Sequence, residues 1–131
     1  MVKKLPSLSI FFPFYNEEAN IAAQTKDALK IAPRLCQKWE IILVNDGSAD
    51  KTGKIAQELA KKYPGVRAFS HPQNRGYGAA IKTGLKASRY EWIFFSDGDR
   101  QFDLKELNKL VEKSEEADLI IGYRQKRADP F

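Results

Sequence analysis

The stretch IILVNDGSAD, at positions 41–50, decides the fold. Its first four residues are apolar at consecutive positions, which is typical of a strand buried on both faces. The polar residues that follow predict a turn into a helix. Strands of this kind occur in parallel sheets that helices cover on both sides. The stretch therefore predicts an α/β fold with a mostly parallel sheet.

Segments of the same two kinds alternate along the whole chain. Apolar runs predict strands at Leu8–Phe14, Glu40–Asn45, Val66–Ser70, Trp92–Ser96 and Leu119–Gly122. Apolar residues spaced by three and four predict helices over residues 21–35, 55–63, 80–87 and 104–111. No repeat, linker or low-complexity segment interrupts the pattern. We therefore expect residues 1–131 to form a single domain.

Composition narrows the class of protein. The 131 residues are 43% hydrophobic and 30% charged, as in one globular domain, and the only cysteine, Cys36, excludes a disulfide scaffold. No apolar run reaches the roughly 18 residues that a membrane helix needs. The net charge of +5 favours a polyanionic partner. Charge alone does not choose among nucleotides, phospholipid head groups and nucleic acid.

Four polar turns follow the first four predicted strands. They are Pro13–Glu17, Asn45–Asp50, Asn74–Gly78 and Ser96–Gln101. Ligands of open α/β sheets bind beyond the carboxyl ends of the strands, so these turns form the candidate site. Three of them carry carboxylates, and the Asn74–Gly78 turn carries glycines and an arginine. That combination suits a phosphate-bearing ligand held through a divalent cation.

Asp97 and Asp99 flank a glycine directly after the fourth strand. Two carboxylates this close repel each other unless a cation or a proton lies between them. Mg²⁺ or Mn²⁺ suits two carboxylates, substrate phosphates and a neutral oxygen such as that of Gln101. An ordinary turn with an aspartate as helix N-cap is the simpler alternative. The residues alone leave both possibilities open, and in a metal site Asp97, Asp99 and Gln101 would be the ligands.

The turns after the first two strands offer the wall of a nucleotide pocket. Asp46 can accept a hydrogen bond from the ring N–H of uracil or guanine. Tyr15 offers a flat apolar surface, and Pro13 gives a rigid bend. Glu17 fits either this wall or the first turn of a helix, where the helix dipole favours it. Asp50 fits best as the cap of the second helix.

The glycine-rich segment after the third strand matches neither of two phosphate-binding motifs. Both the dinucleotide fingerprint and the P-loop require glycine where Ile81 stands. Backbone N–H groups facing an anion, or close packing, explain the glycines. His71 is the only histidine, and we expect a loop residue before Pro72 rather than a zinc ligand or the base of a Ser-His-Asp triad.

Taken together, the four turns resemble those of the family 2 glycosyltransferases. The closest likeness is to the polyprenyl-phosphate branch, which includes dolichol-phosphate mannose and glucose synthases. The matching segments are Pro13–Glu17, Val44–Asp50, Asn74–Ala80 and Ser96–Gln101. The resemblance implies a Rossmann-like GT-A fold, a nucleotide-sugar donor and a divalent cation. It implies an inverting transfer of a hexose from a UDP- or GDP-sugar to a polyprenyl or dolichyl phosphate.

The resemblance also assigns residues to the parts of such a site. Asp97, Asp99 and Gln101 are similar to the family's Asp-x-Asp metal and diphosphate site. The implied catalytic residues are Asp99, Arg124 and Arg127, in which the arginines hold the phosphate of donor or acceptor. The implied nucleotide-sugar-binding residues are Pro13, Tyr15, Glu17, Val44, Asp46, Asp97, Gly98 and Arg124.

Relatives in that family continue beyond the position of Phe131, often with an amphipathic or membrane-spanning anchor. We therefore expect this chain to be the N-terminal part of a larger catalytic domain, weakly active or inactive by itself. We expect a location at the cytoplasmic face of a membrane, an exposed sheet edge that favours a homodimer, and no nucleic-acid partner. The alternatives are a nucleotide-binding or nucleotidyltransferase-like domain without glycosyl transfer, a transferase acting on a polysaccharide, and a protein-interaction module.

Overall fold

The computed structural model describes residues 5–97, which form a parallel sheet of four strands with three helices. In chain order the elements are β1 Leu5–Phe14, α1 Ile21–Leu35, β2 Cys36–Asn45, α2 Thr52–Lys62, β3 Val66–Ser70, α3 Tyr77–Ala87 and β4 Trp92–Phe95. The strand order is β3-β2-β1-β4, and every neighbouring pair is parallel. The predicted parallel sheet is confirmed, and the helix predicted at 104–111 and the strand at Leu119–Gly122 lie outside the described residues.

The central strands β1 and β2 are buried on both faces. Phe12 and Leu43 lie in the larger core cluster, which contains the buried apolar residues of α1 and α2. Phe11, Ile42 and Val44 lie in a second cluster with the buried Ala80 of α3. Because successive side chains of a strand point to opposite faces, a strand between two helical layers must be apolar at consecutive positions. The expected helices on both faces are confirmed.

Both central strands begin earlier than the apolar runs predict. Leu5 pairs with Cys36 and Ser7 with Lys38, so the ladder continues through polar residues. Ser7, Ser9 and Glu40 interrupt the apolar pattern, although all three are buried. Buried polar side chains need hydrogen-bond partners, and these partners come from distant parts of the chain.

A buried network around Glu40 ties the two central strands to β3 and to the segment before β4. Glu40 is 2% exposed. Its Oε2 accepts hydrogen bonds from the Ser9 hydroxyl, at 2.6 Å, and from the Arg89 backbone N–H, at 2.9 Å. Its Oε1 lies 2.8 Å from the Arg67 guanidinium and 3.0 Å from that of Arg89. Burial raises the pKa of Glu40, but the hydrogen bonds from Ser9, the Arg89 N–H and Arg67 outweigh it, and the pKa lies below its ordinary value of 4.5.

Replacing Glu40 by glutamine should lower the free energy of unfolding by about 2 kcal/mol at neutral pH, because the two arginines lose a charged acceptor but are exposed enough to rehydrate. A carboxyl whose pKa is lowered by folding contributes stability above its unfolded pKa and loses that contribution as the pH falls through its folded pKa. Urea unfolding of wild type and Glu40→Gln near pH 7 and pH 3 should therefore show a smaller difference at the lower pH. An equal difference at both pH values would contradict the ionised network.

Helix α3 approaches the sheet closely at Gly84. A Cβ at this position would lie 2.2 Å from Cδ1 of Phe11 on β1. At Gly78, in the first turn of the same helix, a Cβ would meet no described atom within 4 Å. Close packing therefore explains Gly84, and the tight third helix of the sequence prediction is confirmed.

These two glycines make a matched pair for mutation. Gly84→Ala should destabilise the fold by about 2 kcal/mol, because α3 must move away from Phe11. Gly78→Ala should be neutral or stabilising by up to about 1 kcal/mol, because alanine favours the helix and the space is open. Urea unfolding of both variants measures the difference. Equal stabilisation by the two substitutions would rule out the close approach.

The longest helix of the described part is α1, with 15 residues. Between residues 5 and 97, no helix is long and apolar enough to cross a membrane.

Candidate functional site

The carboxyl ends of β1, β2 and β3 lead into three neighbouring loops, which we call loop 1 (residues 15–20), loop 2 (46–51) and loop 3 (71–76). The carboxyl edge of a parallel sheet is the usual ligand site of such folds. A cavity of about 330 Å³ lies there. Its lining consists of Pro13, Phe14, Tyr15, Asp46, Asn74, Gly76, Tyr77 and Ala80.

Three of the predicted pocket residues meet at this cavity: Pro13, Tyr15 and Asp46. Tyr15 is half exposed, whereas Asp46 is only 3% exposed. The Asn74–Gly78 turn also reaches the cavity, as the sequence predicts, but neither Asn74 nor Tyr77 was among the predicted pocket residues. The glycine-rich turn between them was the available signal, since such turns bring backbone close to ligands.

Two other predicted pocket residues do not line the cavity. Val44 is fully buried in the core cluster under α3, because its side chain points to that face of the sheet one residue before the strand ends. Glu17 begins the turn into α1: its carbonyl accepts hydrogen bonds from the backbone N–H groups of Asn20 and Ile21. Its carboxylate accepts from the Asn20 amide at 2.7 Å. Glu17 therefore lies in the turn that precedes α1, and not in the first turn of the helix, which begins at Ile21 and carries no acidic residue.

Reciprocal hydrogen bonds join loop 1 to loop 2. The Asn16 backbone N–H donates to the Ser48 hydroxyl at 2.9 Å, and the Ala49 N–H donates to Asn16 Oδ1 at 2.9 Å. Asn16 has a φ of +52°, a left-handed conformation that asparagine tolerates better than most residues. The Glu18 N–H donates to Asp50 Oδ2 at 3.2 Å. Several hydrogen bonds therefore hold loop 1 against loop 2.

Asp50 lies one residue before the N-cap of α2, which is Lys51 rather than the predicted Asp50, and it still accepts a hydrogen bond at the start of this helix. Its Oδ1 accepts a hydrogen bond from the backbone N–H of Thr52, the first residue of the helix, at 2.9 Å. The Thr52 hydroxyl in turn accepts from the Glu17 N–H at 2.9 Å. Asp50 and Thr52 thus join the start of α2 to loop 1.

Asp46 joins loop 2 to loop 3. Its Oδ1 accepts from the Arg75 backbone N–H at 2.9 Å and lies 2.8 Å from His71 Nδ1. Its Oδ2 accepts from the Gly76 N–H at 3.0 Å and from the Asn74 amide at 3.1 Å. Burial raises the pKa of Asp46, but the bonds from the Arg75 N–H, His71 and the Gly76 N–H outweigh it and hold the pKa below its ordinary value. The anion that this glycine-rich turn faces is therefore the protein's own carboxylate.

Gly47, next to Asp46, allows loops 2 and 3 to touch. It has a φ of +66°, and a Cβ there would lie 2.1 Å from the carbonyl carbon of Gln73. The position thus combines a left-handed backbone with no room for a side chain.

Gly47→Ala should destabilise the fold by about 3 kcal/mol, because it adds both backbone strain and a clash with loop 3. Urea unfolding measures the loss. Amide resonances of loop 3 should shift most in a ¹⁵N spectrum, because that loop has to move. A variant as stable as wild type, with loop 3 unshifted, would contradict the contact.

His71 follows β3 directly and is 8% exposed. Its Nε2 lies 2.7 Å from the Thr83 hydroxyl of α3. The expected loop position is confirmed, but burial between Asp46 and Thr83 was not foreseen. Nothing local in the sequence pointed to it, since the partners lie in other elements.

The predicted metal site begins at Asp97, the last described residue. Its Oδ1 is buried and has no hydrogen-bond partner in the described part of the chain. A buried carboxylate oxygen without a partner costs free energy, so this oxygen fits a metal ligand. Within residues 5–97, no cluster of three or more His, Cys, Asp or Glu side chains could hold a metal ion. The other predicted site residues, Gly98, Asp99, Gln101, Arg124 and Arg127, lie outside the described range.

Comparison with known proteins identifies the family. The family model described as glycosyl transferase family 2 matches residues 9–130. The chain belongs to glycosyl transferase family 2. The resemblance of the four turns is confirmed.

Curated relatives match the polyprenyl-phosphate branch of this family. The chain is 34% identical over 129 residues to a dolichyl-phosphate β-glucosyltransferase, ALG5A, of Trichomonas vaginalis, covering 89% of the chain and 40% of the relative. It is 32% identical over 134 residues to the dolichyl-phosphate β-glucosyltransferase of Dictyostelium discoideum, with 93% and 41% covered. It is 33% identical over 129 residues to a dodecaprenyl-phosphate galacturonate synthase of Rhizobium johnstonii, with 93% and 37% covered. The chain spans about two fifths of the length of these family 2 relatives.

Solved structures of glycosyltransferases share the fold. The mannosyltransferase PcManGT of Pyrobaculum calidifontis, in complex with GDP-Man and Mn²⁺, superposes with a TM-score of 0.69 at 20% identity, over 85% of this chain and 35% of that one. S. aureus TarS 1-349 in complex with UDP-GlcNAc gives 0.65 at 24% identity, over 83% and 32%. The predicted GT-A fold is confirmed.

Proposed function

We propose that the protein is an inverting glycosyltransferase that moves a hexose from a UDP- or GDP-sugar to a polyprenyl or dolichyl phosphate. One observation carries the proposal: in a member of family 2, a cavity at the carboxyl edge combines an exposed tyrosine with a buried, ionised carboxylate. Curated relatives named dolichyl-phosphate β-glucosyltransferases support the acceptor class.

The cavity has the features of a pocket for a nucleoside base. Tyr15 and Tyr77, 50% and 55% exposed, line it beside the apolar Pro13 and Ala80. Aromatic rings bind bases by stacking, which orders the base without choosing among bases. Discrimination among bases requires a polar group at the edge of the base, and Asp46 is the charged side chain in the cavity lining.

Asp46 would recognise the base by losing one hydrogen bond from a protein donor and accepting one from the base instead. A carboxylate has about four lone-pair sites, and protein donors occupy all four. The bond from Asn74 is the longest of them, at 3.1 Å, and Asn74 is exposed. The ring N–H of uracil or guanine can replace this amide on Oδ2. Cytosine and adenine present an acceptor nitrogen at the corresponding ring position, so the pocket disfavours them.

The proposed chemistry needs a cation site and a phosphate site. Asp97 would hold Mg²⁺ or Mn²⁺ together with Asp99 and Gln101, and a cation bound there supplies positive charge to the leaving diphosphate. The acceptor phosphate is already anionic and needs no general base, only cationic side chains such as Arg124 and Arg127 that hold it in line. Because the proposed acceptor is a lipid, we also propose that the protein acts at the cytoplasmic face of a membrane.

Calorimetric titration tests the donor site. We expect UDP or GDP to bind with Mg²⁺ or Mn²⁺, more weakly by about tenfold with EDTA, and CDP and ADP to bind weakly throughout. Tyr15→Ala should lose about tenfold in affinity through lost stacking. Asp97→Asn should abolish the effect of the metal. Tyr90 precedes β4, at the amino ends of the strands and away from the cavity. Tyr90→Ala is therefore the matched control and should bind as wild type does.

A folded sample that binds no nucleotide with either metal would overturn the proposed donor site. For the transfer itself, the full-length protein should form a polyprenyl-phosphate sugar with inverted anomeric configuration. A product with retained configuration would exclude direct displacement.

A further inference from the structure

His71 is a buried titratable side chain that the proposed transfer does not use. It connects three elements: Nδ1 faces Asp46 at the end of β2, the residue itself follows β3, and Nε2 faces Thr83 of α3. The side chains of His71 and Asp46 are 7% and 5% exposed. Water therefore has little access to either end of this contact.

The chemistry of the three groups fixes their orientation. Ionised Asp46 can only accept hydrogen bonds, so His71 Nδ1 carries a proton. The Thr83 hydroxyl can donate to Nε2 or accept from it, so both ring nitrogens keep a partner whether the ring is neutral or charged. The imidazole is thus locked between a helix and a carboxylate.

An aspartate carboxylate needs such a contact to stay in one orientation. The terminal torsion of aspartate is broad and has no sharp staggered minimum, so packing and hydrogen bonds set it. All four donors to Asp46 belong to loop 3: two are the backbone N–H groups of Arg75 and Gly76, and a third is the amide of the exposed Asn74. His71 is the donor anchored independently, through Thr83 on α3.

We propose that His71 is a positioning residue of the donor site. It holds the Asp46 carboxylate in one orientation, and in that orientation the carboxylate fixes loop 3 and accepts a hydrogen bond from the ring N–H of the base. The contact to the base rests on the proposed function. The fixing of the Arg75 and Gly76 N–H groups does not, so the two can be tested separately.

Two substitutions test the two hydrogen bonds of the His71 ring separately. In His71→Asn, the amide nitrogen can take the position of Nδ1 and keep the bond to Asp46. In His71→Gln, the longer side chain can reach the Thr83 hydroxyl, but it gives up the position of Nδ1. Thr83→Val removes the outer bond alone and leaves the histidine in place, so it is the milder variant should His71→Gln unfold.

The first measurement uses no ligand. Hydrogen exchange of the Arg75 and Gly76 amides should be about tenfold faster in His71→Gln, because their acceptor is free to turn. It should stay within about twofold of wild type in His71→Asn and rise by about threefold in Thr83→Val. Amides in α1 serve as the internal control and should not change. Unchanged exchange in His71→Gln, or equal acceleration in the asparagine and glutamine variants, would overturn the proposal.

The second measurement separates positioning from a general structural role. UDP or GDP, whichever wild type binds, is compared with its analogue methylated at the ring nitrogen, which lacks the N–H. Wild type and His71→Asn should prefer the parent by about tenfold, and His71→Gln should lose that preference while its affinity for the methylated analogue stays the same. A purely structural loss would weaken both ligands equally and leave the preference intact, which would refute the contact to the base.

The two measurements also separate this inference from the proposed function. If wild type binds no nucleotide, the proposed donor site fails, and the exchange rates still decide whether His71 positions Asp46. If wild type prefers the parent nucleotide to its methylated analogue, and His71→Gln shows the same preference, the proposed function stands and the positioning role of His71 is refuted.

Discussion

The buried carboxylate of Asp46 is the constraint on which the site depends. A charge in this position is costly unless hydrogen bonds replace its hydration, and the protein supplies four donors. Three of those donors belong to consecutive residues of loop 3, so the carboxylate dictates the path of that loop. Loop 2 is bonded to loop 1 through Ser48 and Asn16. The shape of the cavity therefore follows from one residue at the end of β2.

A second buried carboxylate, that of Glu40, lies within β2 on the amino side of its apolar run. Its donors come from β1, β3 and the segment before β4, so it fixes the scaffold in the way that Asp46 fixes the loops. Both carboxyls have lowered pKa values because their hydrogen bonds outweigh burial. The four apolar residues between them, 41–44, are fully buried. Hydrogen-bonded carboxylates therefore hold the chain in place on both sides of the apolar run of β2, and the site lies directly after this strand.

Local sequence predicted the parts of this arrangement that depend on local pattern. The apolar run at 41–44 predicts a strand buried on both faces, and the rule for parallel sheets then brings Pro13, Tyr15 and Asp46 to one edge. Val44 pairs with Pro13 across the sheet but does not line the cavity, because its side chain is covered by α3 in the core cluster with Ala80. The sequence placed the Asn74–Gly78 turn at the site but did not assign Asn74 and Tyr77 to the pocket, because their placement depends on the positive φ of Gly76 and on its bond to Asp46, which are not local properties.

The strand order gives the proposed donor a direction across the sheet. In the order β3-β2-β1-β4 the chain passes from β1 to β2 and β3 and then returns to the other side of β1, so the topological switch point lies between β1 and β4. Asp46 follows β2 and Asp97 follows β4, and the carboxyl end of β1, with Tyr15, lies between them. A base held at Asp46 and a diphosphate held at Asp97 would then lie on opposite sides of loop 1. An extended ligand with a base at one end and charged phosphates beyond it matches that order, whereas a compact ligand would occupy only one of the two places.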